Sequence, residues 1–154
     1  MGAISLDAAV AMTGLSRRTL WRRVTEGAIV KCDEDIRGRA TLSLSDVVDL
    51  VSFPLDAEDM KLLVQADDGK ADAQADMGEM FYTAGKFEVA IYWLNAAAAQ
   101  KNADAMHWLS ICHFAGHGVP ANENLAISWL ARAADAGHVI AQHQMESIKR
   151  SAVR

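Results

Sequence analysis

The sequence predicts a mostly α protein of two modules, and three observations carry that expectation. Residues 1–53 mix short helix-like runs with two β-prone runs, whereas the chain from 56 onward repeats an alanine- and tryptophan-rich pattern. Charge changes at the same place. Residues 1–52 hold seven Lys/Arg against seven Asp/Glu, and residues 53–154 hold eight against thirteen, so the net of −5 falls in the second part. Finally, 51% hydrophobic and 23% charged residues fit a folded globular chain rather than a disordered one. The expected modules are a small helical unit with a two-stranded hairpin at 1–53 and a solenoid of α-hairpins at 56–154.

In the first module Ser5 is placed to cap a helix carrying Leu6, Ala9, Val10 and Met12. Thr13-Gly14-Leu15 reads as a turn. Ser16 then caps a second helix, from Arg17 to Glu26, which Gly27 closes. The runs AIVKC (28–32) and ATLSL (40–44) are β-prone, and the polar DEDIRGR between them suits a hairpin tip centred on Gly38. Ser45 caps a third helix, DVVDLVSF, which Pro54 ends. On the second helix Leu20 and Val24 share an inward face, while Arg18, Thr19, Arg22 and Thr25 share the opposite one. Trp21 lies between these faces. It is expected to cover the junction of helix and hairpin; its other reading is contact with a nucleic-acid backbone through the indole N–H.

From residue 71 the chain repeats itself. Residues 71–102 align with 103–138: Ala73 with Ala105, Met77 with Leu109 and Tyr82 with Phe114. After four extra residues in the second copy, AIYWLNAAA (90–98) aligns with AISWLARAA (126–134), and Ala141 restarts the pattern. LLVQADDGKADA (62–73) reads as the end of a preceding repeat. The unit is therefore an αα-hairpin whose single apolar face is buried only by stacking neighbours. Trp93, Trp108 and Trp129 fall at repeat positions, so core packing explains them. Tryptophan is also favoured at interaction hot spots, which makes these three, with Tyr82, the candidate protein-binding residues.

Several function classes have no support. MGAISLDAAVAM has no basic n-region and carries Asp7 in its only apolar run, so no secretory signal is expected, and Leu6 breaks a myristoylation motif. No run approaches the ~20 apolar residues of a membrane helix. Cys32 and Cys112 are lone thiols, which fits a reducing cytoplasm. Cys112, His113 and His117, with His107 nearby, invite a zinc reading. However, Cys112 and His113 are adjacent and would point roughly 100° apart on a helix, and no second Cys/His pair stands at a recognised spacing. No metal or cofactor is expected. No nucleophile elbow, phosphate-cradling glycine loop or Cys-His-Asp ordering occurs, so an enzyme is not expected either.

Two resemblances extend this reading. AMHWLSICHFAGHGVPANENLAISWLARAADAGH follows A-x-x-x-L, an aromatic, G-x-G-V, N and A-x-x-W-L-x-x-A-A-x-x-G, and so resembles Sel-one-like repeats, relatives of the tetratricopeptide repeat. The copy at 71–102 lacks the G-x-G-V loop and has a tighter turn, TAGKFEVA. This resemblance implies a protein-interaction scaffold with no catalytic residues. AAVAMTGLSRRTLWRRVTEGAI, then RGR and LSLSDVVDL, resemble the winged helix-turn-helix of excisionases and MerR-type regulators. That resemblance implies double-stranded DNA as a partner. Arg17, Arg18, Thr19, Arg22 and Arg23 would lie on or beside the recognition helix, and Arg37 and Arg39 would flank the wing tip. Arg18 and Arg22 are the candidate base readers, because arginine bonds guanine bidentately, and the other arginines are candidate phosphate contacts. Asp33, Glu34 and Asp35 in the wing would repel phosphates.

Two functions follow. One is a cytoplasmic DNA-binding transcriptional regulator that couples the winged unit to a protein-binding repeat domain. It would associate with itself or another DNA-binding protein because one wing has a small footprint. The alternative is a protein–protein adaptor with a vestigial helix-turn-helix.

Overall fold

The computed structural model describes residues 2–153. The fold is mostly helical with one small sheet, and it divides into two compact units between Asp68 and Gly69.

The first unit runs β1 (Ala3–Ser5), α1 (Leu6–Thr13), α2 (Arg17–Thr25), β2 (Lys31–Cys32), β3 (Thr41–Ser43), α3 (Leu44–Val48) and α4 (Ala57–Asp67). Ser5 and Ser16 cap α1 and α2 as expected, accepting from the backbone N–H groups of Ala8 and Thr19. The sheet is antiparallel in the order β1-β3-β2, with Ile4 opposite Leu42 and Cys32 opposite Thr41. Ile4, Leu20, Leu42, Val47 and Leu63 form its core. Strand β1 was not foreseen, since three residues are too short to show an alternating pattern.

Two further differences have local causes. α3 is only five residues long and starts before Ser45. The Leu44 N–H donates to the Gly2 carbonyl, so β3 runs straight into the helix, and the Ser43 and Ser45 hydroxyls bond each other instead of capping it. The sequence boundary lay at 53–56, yet α4 belongs to the first unit, where it packs on β1. Asp67 explains that attachment. Its carboxylate is buried and accepts from the Ser5 N–H at 2.7 Å, the Ser5 hydroxyl at 2.6 Å and Arg39 Nη1 at 3.3 Å. A buried carboxylate needs such partners.

The second unit is a run of helices: α5 (Ala71–Thr83), α6 (Phe87–Ala99), α7 (Ala103–Ala115), α8 (Glu123–Asp135) and α9 (Val139–Ala152). α5 pairs with α6 and α7 with α8; α6–α7 and α8–α9 contacts join successive hairpins. The core holds Met77, Phe81, Ala90, Leu94, Leu109 and Leu130. Gly78 sets the close approach of α5 and α6, since a Cβ there would lie 2.5 Å from Leu94 Cδ2. The four extra residues of the second copy lengthen the α7–α8 loop, which folds back on the preceding hairpin. His117 stacks on Phe87 with ring centroids 4.2 Å apart and exchanges a 2.9 Å hydrogen bond with the Tyr82 hydroxyl. Gly118 beside it has φ +74°, and a Cβ there would meet the Phe87 carbonyl oxygen at 2.8 Å, so only glycine fits. Among the described residues no helix is long and apolar enough to cross a membrane.

Candidate functional site

The second unit carries an open groove of about 570 Å³, lined by α6, α7, α8 and the turn between α6 and α7. That volume lies in the range of ligand-binding clefts. Its apolar wall is made of Ala98 and Ala99 of α6, Met106 of α7 and Trp129 of α8. The small side chains on α6 leave the room, and Trp129 is only half-buried. Arg132, one turn along α8, lies over the Trp129 ring with its guanidinium carbon 4.7 Å from the centroid, a cation–π arrangement. Lys101 faces the groove from the turn, and Asn95 and Asp135 complete the rim. Among the described residues, Lys101 and Arg132 form no ion pair.

The other aromatic candidates have different surroundings. Trp93, the repeat equivalent of Trp129, is 1% exposed and is core rather than contact surface. Tyr82 and Trp108 pack on each other with centroids 4.9 Å apart, and the Tyr82 hydroxyl is held by His117. Of the four aromatics expected to bind protein, Trp129 alone lines the groove. The signal that separates Trp129 from Trp93 is the small-residue run on the facing helix, AAAA at 96–99, which reads equally well as helix packing.

Cys112, His113 and His117 do not converge on a metal. Cys112 is buried, and burial pushes its thiol up to about 11. His117 is engaged with Tyr82 and Phe87, while burial holds His113 below the ordinary histidine value. Among the described residues no group of three or more His, Cys, Asp or Glu side chains is arranged to hold a metal ion.

In the first unit the arginines separate into free and committed groups. Arg18 is exposed and makes no ion pair among the described residues, and Arg22 is exposed with Glu26 3.9 Å away. Arg17 is paired with Asp7, and Thr19 accepts a hydrogen bond from Ser16. Arg23 is half-buried, with its Nε enclosed and unpaired. Arg37 donates to the Asp67 carbonyl at 2.8 Å. Arg39 is bound on both sides, by Asp35 at 2.7 Å and by Asp67, and donates to the Asp67 carbonyl as well. Asp35 therefore serves the fold of the β2–β3 hairpin. Backbone and side-chain hydrogen bonds from Arg39 hold its carboxyl below the usual range. This removes Arg39 from the set expected to hold phosphates. Trp21 is half-buried beneath Lys31 of β2, with the ammonium 5.6 Å from the ring centroid, and covers the helix–hairpin junction as expected.

Residues 71–102 and 103–138 each match the Sel1 repeat. Together the two matches run from residue 71 to residue 138. A Sel1 repeat protein from Oxalobacter formigenes superposes with a TM-score of 0.52 at 32% identity, over 68% of this chain and 33% of that one. A protective antigen present in uropathogenic Escherichia coli strains, displaying an SLR fold, gives a TM-score of 0.54 at 25% identity, over 69% of this chain and 21% of that one. The chain thus spans a third or less of the length of either relative. No curated protein matches it. The groove lies between α6 and α8, the second helix of each matched segment, with Met106 of α7 between them.

Proposed function

We propose that this chain is a non-catalytic protein-interaction module of the cytoplasm, whose Sel1 repeats receive a segment of a partner protein in the Trp129 groove. The observation that carries this reading is a half-exposed tryptophan beside an open apolar cleft, in a repeat unit where its equivalent Trp93 is buried and Tyr82 and Trp108 pack on each other. Aromatic anchors of this kind supply most of the energy at protein interfaces. The first unit is read as a winged helix-turn-helix fold serving as a folded docking domain. Residues 1–68 hold eight Lys/Arg against twelve Asp/Glu, a balance that disfavours phosphate.

A second reading keeps DNA as a partner and rests on one observation, the exposed Arg18 and Arg22 on α2. The two are separated by one pair of measurements on the full chain. Affinity capture from source cells, read by mass spectrometry, should return a defined protein that Trp129→Ala loses and that Arg18→Ala plus Arg22→Ala retains. Titration into labelled duplex DNA at low salt should show no binding. A duplex complex abolished by the arginine substitutions, with capture indifferent to Trp129, would install the DNA reading instead.

A further inference from the structure

We propose that the Trp129 groove is built for an acidic segment of a partner protein, with a carboxylate side chain lying beside a large apolar one. This rests on the protein-interaction reading above and adds the chemistry of the occupant. The carrying observation is a backbone outlier. Lys101 has φ +63° and is the one non-glycine residue in the left-handed region among the described residues. The same junction in the flanking repeats is filled by Gly69 at φ +99° and Gly137 at φ +97°. A side chain with a Cβ is disfavoured in that conformation, and such strain persists where the side chain is needed. Among the described residues the Lys101 side chain has no hydrogen-bond or ion-pair partner that would repay the fold, and it lines the groove.

Arg132 is a second departure of the same kind. It stands where the first repeat has Ala96, a residue that builds the same hairpin without a charge. The two positions where a small residue suffices for the fold thus both carry cations, and both cations face the same apolar cleft. Arg132 is pre-oriented by its stack on Trp129, which leaves the guanidinium edge available to a carboxylate. Asp135 is the one acidic residue at the rim, so the local balance is one positive charge in a unit that is otherwise slightly acidic. A basic segment would meet two unpaired cations. A neutral one would leave them uncompensated. An acidic segment pairs them while its apolar neighbour covers Trp129, Ala98 and Met106.

The test is selection of a displayed random dodecapeptide library on the full chain, followed by fluorescence polarisation of the enriched peptides. Enriched sequences should place Asp or Glu next to Leu, Ile or Phe. Their affinity should fall at least tenfold in Lys101→Glu and in Arg132→Glu, fall with added salt, and stay unchanged in Arg18→Glu. Lys101→Gly supplies the control for folding: it should weaken binding while raising the melting temperature. Enrichment of neutral or basic peptides that still require Trp129 would overturn the acidic occupant and leave the groove as an interface. Peptides indifferent to Trp129→Ala, Lys101→Glu and Arg132→Glu, or no enrichment, would overturn both. Concentration-dependent self-association abolished by Arg132→Glu would assign the groove to a second copy of the chain and overturn the proposal.

Discussion

At the scale of single residues, the repeat unit keeps glycine where the fold demands it and departs from glycine where the fold does not benefit. Gly78→Ala would drive a methyl group to within 2.5 Å of Leu94, in a well-packed hairpin, and should destabilise the chain by about 1–3 kcal/mol in chemical denaturation. Lys101→Gly has the opposite sign. Relief of the left-handed conformation outweighs the added freedom of the unfolded glycine, so stability should rise by roughly 0.5–1 kcal/mol in the same assay. In the first unit, Asp67→Ala removes the common partner of Ser5 and Arg39 and leaves buried donors unpaired. A loss of about 2–4 kcal/mol should follow, with the melt of the first unit affected.

Among the elements, α9 has the most conditional attachment. His138 caps it, accepting from the Ala141 N–H at Nδ1 while its ring stacks on His107 and its Nε2 lies 3.5 Å from Asp104. Burial lowers the His138 pKa below the ordinary 6.5, the neighbouring His107 lowers it further, and Asp104 opposes both. The folded state therefore binds protons less readily than the unfolded one. The stabilisation is fully present above pH 6.5 and is lost as pH falls through the lower folded value. Protonation at Nδ1 also abolishes the cap. Protection of the amides at the start of α9, relative to their intrinsic exchange rates, should fall between pH 7 and pH 5. His138→Asn, which retains a cap acceptor, should remove most of that dependence, and unchanged protection across this range would contradict the role given to His138.

The helices were the most legible elements. Ser5, Ser16 and the 32-residue alignment of 71–102 with 103–138 announce them locally, through capping and periodicity. β1 and the membership of α4 were not legible. Each depends on partners more than 35 residues away, Leu42 for Ile4 and Ser5 for Asp67, and no local pattern encodes such a pairing. The site divides in the same way. Trp129 was marked by its repeat position, as was Trp93. Burial separates the two and is set by tertiary packing. Arg39 read as a free wing cation because its partner Asp67 lay in what looked like the other module.

For the molecule as a whole, two compact units share one chain but not one composition. The first is small, acidic in balance and held together by a buried carboxylate; the second is a repeat stack with an open aromatic shelf and two groove cations that form no ion pair among the described residues. Neither feature is needed to fold the hairpin, and the proposed function gives both a role in binding. The most direct test is photo-crosslinking in the source cell from a benzophenone amino acid placed at the exposed groove residue Ala99, with Arg18 as the comparison site. A discrete protein adduct from position 99, lost in Trp129→Ala, is the predicted result. No protein adduct from position 99, together with a nucleic-acid adduct from position 18, would contradict it.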